Sequence, residues 1–168
     1  MNLQTLTGDD AEAYKTLWLR ALLEHPEAFG SSLEAEQNAS PDVFAGRLEN
    51  TVPDSYWLGA FENEILVGIL GFFRRQGQKL EHKALIGGMY VVPEARRHGV
   101  GRSLLGEAVR RAKSTLGLEE LVLAVTVGNS SAKQLYTNAG FEVYCRDERF
   151  IRVDGRDYDI EWLRLEFP

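Results

Sequence analysis

The chain has 168 residues, of which 44% are hydrophobic and 26% are charged, and its formal net charge is −6. This size and apolar content suit one compact domain over residues 1–168. The acidic balance argues against nonspecific nucleic-acid binding, which favours a basic face, and no apolar run approaches the roughly 20 residues of a membrane helix. The first ten residues lack the charged and apolar regions of a signal peptide, so the composition predicts a cytoplasmic protein.

Metal and disulfide chemistry is disfavoured by the small number of candidate ligands. Cys145 is the single cysteine, so an internal disulfide is impossible and a cysteine-based metal site is implausible. The three histidines, His25, His82 and His98, are scattered without ligand-like pairing. We therefore expect no metal in this protein.

The first predicted elements are a strand and a helix. Residues 3–6 form the short strand, and Asp9 with Glu12 resembles a capping pair at the start of the helix. Five residues of this helix are expected to share one buried face: Tyr14, Leu17, Trp18, Ala21 and Leu22.

A break and a second helix come next, followed by three strands. Residues 25–32 interrupt the first helix, and Ser40 before Pro41 marks the start of the second, with the serine as N-cap. The three strands are predicted over residues 55–62, 65–76 and 83–92.

The second half of the chain continues the alternation of helices and strands. A helix is predicted over residues 99–116, a strand over 121–127 and a short helix over 130–139. Gly140 ends that last helix as a C-terminal stop. A long hairpin closes the chain, with its turn at residues 153–156.

The apolar residues of the last strand change face part-way along it. Three of them alternate on one face: Tyr158, Ile160 and Trp162. The next three continue on the other face: Leu163, Leu165 and Phe167. Either a bulge shifts the alternation near Trp162, or the end of the strand is buried on both sides.

The segment before the helix at residues 99–116 combines positive charge with bare backbone. Arg96, Arg97 and Arg102 surround Gly99 and Gly101. Glycine lets a ligand approach the backbone closely, and the N–H groups of a helix's first turn lack intrahelical acceptors at the positive end of the helix dipole. This pattern suits a phosphate or pyrophosphate group, and a glycine-rich turn with solvated arginines is the alternative.

Two familiar phosphate-binding motifs do not fit this segment. A P-loop needs Gly-Lys-Ser/Thr, whereas Gly101 is followed by Arg102 and Ser103. A dinucleotide fingerprint needs a third glycine where Leu104 stands. Its ribose-binding acid should also follow the next strand, whereas Glu120 precedes it.

Two motifs in the right order carry a resemblance to a known family. Arg96-x-x-Gly99-x-Gly101, after a strand and a Val-Pro pair, resembles the acyl-CoA-binding signature of the GNAT superfamily of N-acetyltransferases. Residues 129–141 resemble the family's Asn-x-x-Ala-x-x-Leu-Tyr-x-x-x-Gly-Phe segment. The resemblance implies an α/β (α+β) fold with a mixed central sheet of about seven strands and about four flanking helices. In the family the sheet is splayed between the two strands that hold acyl-CoA.

The resemblance also implies acetyl-CoA as the co-substrate. The pyrophosphate would lie on the backbone amides of the glycine-rich loop, and the pantetheine arm would run beside the strand that precedes it. A bulge or a close backbone approach is expected at Gly87-Gly88. The implied cofactor-binding residues are Met89, Tyr90, Val91, Arg96, Arg97, His98, Gly99, Val100, Gly101, Arg102 and Asn129.

Asn129 and Tyr136 are seven residues apart, nearly on one helical face. The resemblance implies that Asn129 hydrogen-bonds the cofactor arm and that Tyr136 is the catalytic general acid near the leaving sulfur. The residues alone also allow an ordinary N-cap for Asn129 and core packing for Tyr136. The implied reaction is direct attack of a neutral amine on the thioester, with a backbone N–H near Val91 at the oxyanion.

A general base is not apparent in the sequence. Some relatives carry a glutamate on the strand before the anion motif, where this chain has residues 84–88 without one. Relatives that acetylate protein N-termini can carry one on the next strand, at the position of Ala124. The candidates are therefore Glu81, His82 or water.

The acceptor is predicted to be a small primary amine or a peptide amine, with no nucleic-acid or membrane partner. In the family, acceptor pockets draw on the first two helices and their loop, here residues 24–44, and on the final hairpin. Glu34 and Glu36 could attract a cationic amine or simply be solvated. The alternative function is a non-catalytic acyl-CoA-binding module. A homodimer is also compatible with the sequence.

Overall fold

Seven strands form one mixed sheet in the computed structural model, which describes residues 1–49 and 52–167. The strands are β1 (Asn2–Thr5), β2 (Tyr56–Glu62), β3 (Ile65–Arg74), β4 (Lys83–Val91), β5 (Glu120–Thr126), β6 (Glu142–Val153) and β7 (Arg156–Glu166). Their order across the sheet is β1-β2-β3-β4-β5-β7-β6. Within the described chain, β4 and β5 are parallel and the other neighbours are antiparallel.

The helices accompany this sheet in chain order. They are α1 (Ala11–Glu24), α2 (Leu33–Glu36), α3 (Pro41–Leu48), α4 (Val100–Ser114) and α5 (Ser130–Asn138). The one-turn helix α2 was not predicted, although Ser32 caps it by accepting a hydrogen bond from the Ala35 N–H at 3.3 Å. The predicted fold class, a mixed seven-stranded sheet flanked by helices, is confirmed.

Helices α1 and α4 cover opposite faces of the sheet. Trp57 of β2 packs edge-on against Tyr14 and Trp18 of α1, at centroid distances of 5.0 Å and 6.0 Å. The neighbouring Tyr56 points the other way, and the Arg111 guanidinium of α4 lies 5.0 Å from its ring centre. Because side chains alternate along a strand, the α1 face and the α4 face are separate surfaces of β2, β3 and β4.

The first helix begins differently from the prediction. Asp9 and Glu12 do not form the cap; instead the Thr7 N–H donates to Asp10 Oδ2 at 2.9 Å, and α1 starts at Ala11. The capping prediction was therefore wrong by two residues, because Thr7 with Asp10 has the same capping-box spacing. The predicted apolar face of this helix is buried as expected.

β4 parts from β5 where the glycine pair lies. The two strands pair only from Lys83–Glu120 to Leu85–Val122. On the other side of β4, the register against β3 shifts between Ile69 and Gly71, which leaves one extra residue on β4. Gly88 has a φ of +60°, so the predicted bulge at Gly87-Gly88 is confirmed.

Gly88→Ala should lower the free energy of unfolding by about 2–4 kcal/mol. A methyl group there would overlap Cη2 of Trp57 and approach Cζ3 of Trp18 to 3.4 Å, in a backbone conformation that alanine disfavours. Urea unfolding of Gly87→Ala is the matched control, because its new carbon would meet only Phe73, at 3.8 Å. Equal stability losses in the two variants would contradict this account of the bulge.

The irregularity in the last hairpin lies on β6. β7 pairs with β5 in unbroken register from Ile160 to Glu166. On the other side, Val143 is opposite Leu163 and Cys145 is opposite Trp162, so Tyr144 is an extra residue, and a second register shift lies between Asp147 and Ile151. β7 buries Ile160 on one face and Leu163 on the other, so the buried face changes between these two residues. The end of the strand is not buried on both sides, because Arg164 and Glu166 are exposed.

Among the helices of residues 1–49 and 52–167, none combines the length and the hydropathy that crossing a bilayer requires.

Candidate active site

The predicted anion loop has two left-handed residues just before α4. Arg97 has a φ of +65° and Gly99 a φ of +85°. The first helical hydrogen bond runs from the Ser103 N–H to the Gly99 carbonyl at 2.9 Å. The N–H groups of residues 100–102 precede this bond, so they lie at the open end of the helix, where an anion is stabilised.

Arg96 folds back onto the end of β4. Its Nε donates to the Val91 carbonyl at 2.9 Å, and its Nη2 lies 3.1 Å from His25 Nε2. Since a guanidinium only donates, this imidazole nitrogen is the acceptor. Glu24 lies 3.8 Å from the same guanidinium and accepts a 2.6 Å hydrogen bond from the Tyr90 hydroxyl. Arg96 therefore ties the loop to β4 and α1.

The hydrogen bonds around Glu24 fix its charge. The Tyr90 hydroxyl and then Arg20 hold the pKa of Glu24 below its usual value. Glu24 is therefore a carboxylate at neutral pH, and it joins α1 to β4 through Tyr90 and to the loop through Arg96.

A cleft of about 550 Å³ runs from this loop along β4 to α5, and it is called the cofactor cleft below. Eleven of the twelve predicted site residues line it. The exception is His98, which is exposed and does not line the cleft. The structure thus brings Met89, Tyr90 and Val91 together with the glycine loop and with Asn129 and Tyr136.

A smaller cavity of about 90 Å³, the gap, lies between the diverging strands β4 and β5. Gly88 and Met89 line one side, Ala124 lines the other, and Tyr136 is part of the wall. The Tyr136 hydroxyl lies 3.6 Å from Met89 Sδ, and burial raises the pKa of Tyr136 to about 12. The tyrosine therefore keeps its proton throughout the neutral range.

Asn129 is both an N-cap and a lining residue. Its Oδ1 accepts a hydrogen bond from the Ala132 N–H at 3.2 Å, as an N-cap does. The same residue lines the cofactor cleft and the gap. Capping fixes the side chain at the place where the two cavities meet.

The structure does not bring the two candidate bases to the gap. Glu81 and His82 precede β4, whereas Gly88 lies six residues beyond His82, or roughly 20 Å along an extended strand. Neither residue lines the cofactor cleft or the gap. Among the described residues that line the gap, Tyr136 is the one with a titratable side chain.

A third cavity, of about 440 Å³, lies on the α1 face of β4 and is called the aromatic pocket below. Its walls include Trp18, Trp57 and Phe73, and Arg47 of α3 also lines it. Gly88 lines both this pocket and the gap. Through Gly88, the bulge of β4 borders a cavity on each side.

Sequence reasoning missed part of these walls. His25, Ala28 and Phe29 line the cofactor cleft from the segment predicted as a helix break. The Thr126 hydroxyl donates to the Glu27 carbonyl at 2.8 Å and so ties this segment to β5. Trp57 and Phe73 carried no signal beyond that of core aromatics on strands.

A comparison with known families identifies the family of proteins that has this fold and this arrangement of cavities. A family model described as the acetyltransferase (GNAT) family matches residues 14–141. The chain belongs to the GNAT family. Acetyltransferases of this family use acetyl-CoA as co-substrate.

Curated relatives and solved structures agree with this assignment. A mycothiol acetyltransferase from Brachybacterium faecium is 30% identical over 139 residues, which are 82% of this chain and 39% of that protein. An acetyltransferase of the GNAT family from Streptococcus pneumoniae superposes with a TM-score of 0.87 at 20% identity, covering 99% of both chains. A GNAT phosphinothricin acetyltransferase from Sinorhizobium meliloti, solved with acetyl-CoA, gives a TM-score of 0.84 at 19% identity, covering 98% of this chain and 87% of that one.

The two kinds of similarity carry different weight. The solved structures share the GNAT fold with this chain at low identity, so they show the fold. The chain spans less than half the length of the mycothiol acetyltransferases that it matches.

Proposed function

We propose that residues 1–168 act as one N-acetyltransferase domain, which moves the acetyl group of acetyl-CoA to a small-molecule primary amine by direct attack. One arrangement carries this proposal. The cofactor cleft, the gap and the aromatic pocket follow one another, with Tyr136 at the first junction and Gly88 at the second. A thioester that enters the gap from the cleft can meet an amine that enters from the pocket.

The cofactor residues have separate proposed tasks. The backbone N–H groups of residues 97–102 bind the pyrophosphate at the positive end of α4. Beyond Leu85, β4 has no pairing with β5 in the described chain, so its backbone can bond the pantetheine arm beside Met89 to Val91. Asn129 is placed to bond the same arm, while Arg96 holds the loop and His98 remains a solvent-side contact.

The transfer step forms a C–N bond and breaks the C–S bond. A neutral amine attacks the thioester carbonyl, and a backbone N–H near Val91 stabilises the oxyanion. The proton of the amine leaves to water, because the described residues that line the gap include neither a carboxylate nor an imidazole. Tyr136 then donates to the sulfur that departs.

The raised pKa of Tyr136 decides how it donates. A thiol has an ordinary pKa of about 8.5, and the pKa of Tyr136 is about 12. Complete transfer of the proton to a thiolate would then cost about 5 kcal/mol. Tyr136 therefore acts mainly as a hydrogen-bond donor to the charge that develops on sulfur.

Two alternative functions are less well supported. A non-catalytic acyl-CoA-binding module would need neither the aromatic pocket nor a buried hydroxyl at the gap. A protein N-terminal or lysine acetyltransferase would favour a base on β5, where Ala124 lines the gap instead. The small-molecule amine is the acceptor that these features favour.

Thiol release from acetyl-CoA should occur with members of a panel of primary amines and should stop when the amine is omitted. The rate should persist in EDTA, because the described residues contain no group of three or more potential metal ligands. Cys145→Ala should also be active, because this thiol is exposed on β6 and lines none of the three cavities. Acetyl-CoA binding without turnover of any amine would favour the binding module instead.

We propose that the protein works in the cytoplasm, where a free exposed thiol such as Cys145 stays reduced. We also expect a homodimer, and the molecular mass of the protein in solution, measured by light scattering, tests this expectation.

A further inference from the structure

We propose that the acceptor is an amine that carries a carboxylate on an apolar, aromatic-sized body, and that Arg47 binds this carboxylate in the aromatic pocket. The inference rests on the proposed function, because it names the substrate class of the same site. Three features of the pocket carry it: its place beside the gap, its aromatic walls and its single charged lining residue.

The aromatic pocket adjoins the gap on the side away from α4. Trp18 and Arg47 belong to α1 and α3, and Gly88 is common to the pocket and the gap. Phe29 of the gap wall packs edge-on against Trp18 of the pocket, with ring centres 5.2 Å apart. An amine held in the pocket is therefore next to the place where a thioester would lie.

The walls of the pocket suit a flat apolar body. Trp57 packs edge-on against Trp18 at 6.0 Å and against Phe73 at 5.4 Å. A methyl group on Gly88 would approach Cη2 of Trp57 and Cζ3 of Trp18, so the hydrocarbon ends of both indoles face the bulge. This close packing leaves no room for a ligand between Gly88 and Trp57. A ligand held elsewhere in the pocket contacts the aromatic lining of Trp18, Trp57 and Phe73, which favours an apolar group.

The charge on the described walls of the pocket is positive. Among the described residues that line it, Arg47 alone is charged. Its Nη2 donates to Glu36 Oε2 at 2.9 Å, and Phe44 lies 5.1 Å from the guanidinium carbon. These contacts fix the guanidinium, and a guanidinium has five N–H donors, so further donors are available to a carboxylate.

A cationic acceptor such as a polyamine fits less well. Aromatic walls can attract an ammonium group, but Arg47 lines the same cavity and repels a second positive charge. Glu36 is paired with Arg47 and does not itself line the pocket. Glu36 therefore fits neither alternative, attraction of a cationic amine or simple solvation, because it is buried and paired with Arg47, which it orients. Glu34 is exposed.

The test compares L-phenylalanine with 2-phenylethylamine, which lacks only the carboxylate, and with spermidine. In the wild type, kcat/KM should be highest for phenylalanine and lowest for spermidine. Arg47→Gln should lower the ratio of kcat/KM for phenylalanine over phenylethylamine by about 10- to 100-fold, the scale of a hydrogen bond between charged groups. Glu36→Gln weakens the ion pair that orients Arg47, so it should raise the KM for phenylalanine and leave the KM for 2-phenylethylamine unchanged, which a merely structural ion pair would not do.

A binding measurement separates this inference from the proposed function. Trp18 and Trp57 line the pocket, so N-acetyl-L-phenylalanine should change the tryptophan fluorescence of the wild type without any turnover, and Arg47→Gln should weaken that binding. Binding of this kind with no turnover of any amine would overturn the proposed function and keep the pocket assignment. An unchanged specificity ratio in Arg47→Gln, or a preference for spermidine, would overturn the pocket assignment.

Discussion

Acetyl-CoA should no longer bind a Gly101→Glu variant that folds normally. Gly101 is in the first turn of α4, where a new Cβ would lie 3.3 Å from Met89 Cε and 3.4 Å from Leu135 Cδ2. The added carboxylate would also occupy the proposed pyrophosphate site and repel its charge. We expect affinity measured by calorimetry to fall by at least about 100-fold, the scale of about 3 kcal/mol.

Gly106→Glu is the matched control for this variant. Gly106 is exposed in the same helix, and a Cβ there would meet no atom within 4 Å. It makes the same change of charge, so normal binding by Gly106→Glu excludes an effect of net charge or of helix propensity. Wild-type affinity in Gly101→Glu would show that the pyrophosphate binds elsewhere.

Tyr136→Phe should lower kcat by about 10²–10⁴-fold and leave the affinity for acetyl-CoA nearly unchanged. The substitution removes one hydroxyl from the gap and keeps the ring, which is 8% exposed and packs against Phe141 at 6.2 Å. The lost contact to Met89 is a weak hydrogen bond to sulfur, so stability should change by no more than about 1 kcal/mol. Single-turnover kinetics with an accepted amine measure the effect on the chemical step.

Tyr56→Phe controls for the loss of a buried hydroxyl. Tyr56 stacks on Phe72 at 4.8 Å and lines none of the three cavities, so its kcat should match the wild type. Because the pKa of Tyr136 is about 12, ionisation of this hydroxyl should not reduce kcat below about pH 11. A Tyr136→Phe rate within twofold of the wild type would assign the tyrosine to core packing alone.

Prediction from the sequence was most accurate where a short local pattern is compatible with only one backbone conformation. Gly99 has the left-handed conformation that glycine adopts readily, directly before α4, and the three predicted strands over residues 55–92 pair with one another in chain order. The splay of the sheet followed from the family resemblance, and the glycine pair at residues 87–88 predicted the bulge of β4. Eleven of the twelve predicted residues meet in one cleft because they belong to two short segments, residues 89–102 and 129–136, on adjacent elements.

Prediction failed where distant segments meet. The aromatic pocket joins α1, α3 and three strands, and no spacing along the chain relates Arg47 to Phe73. The first cap was misassigned because Thr7–Asp10 and Asp9–Glu12 lie close together and offer similar chemistry. Glu81 and His82 were placed near the site by sequence proximity to β4, but strand length separates them from the gap.

The extra residue at Gly88 also decides which helix each side chain of β4 meets. Before the bulge, Gly71 pairs with Gly87, and after it Ile69 pairs with Tyr90, so odd and even positions exchange faces. Tyr90 consequently reaches Glu24 of α1, while Met89 reaches Tyr136 of α5. A strand without the insertion would turn both side chains the other way. The inserted residue thus divides β4 into a segment that pairs with β5 and a segment that lines the cavities in which we propose that both substrates bind.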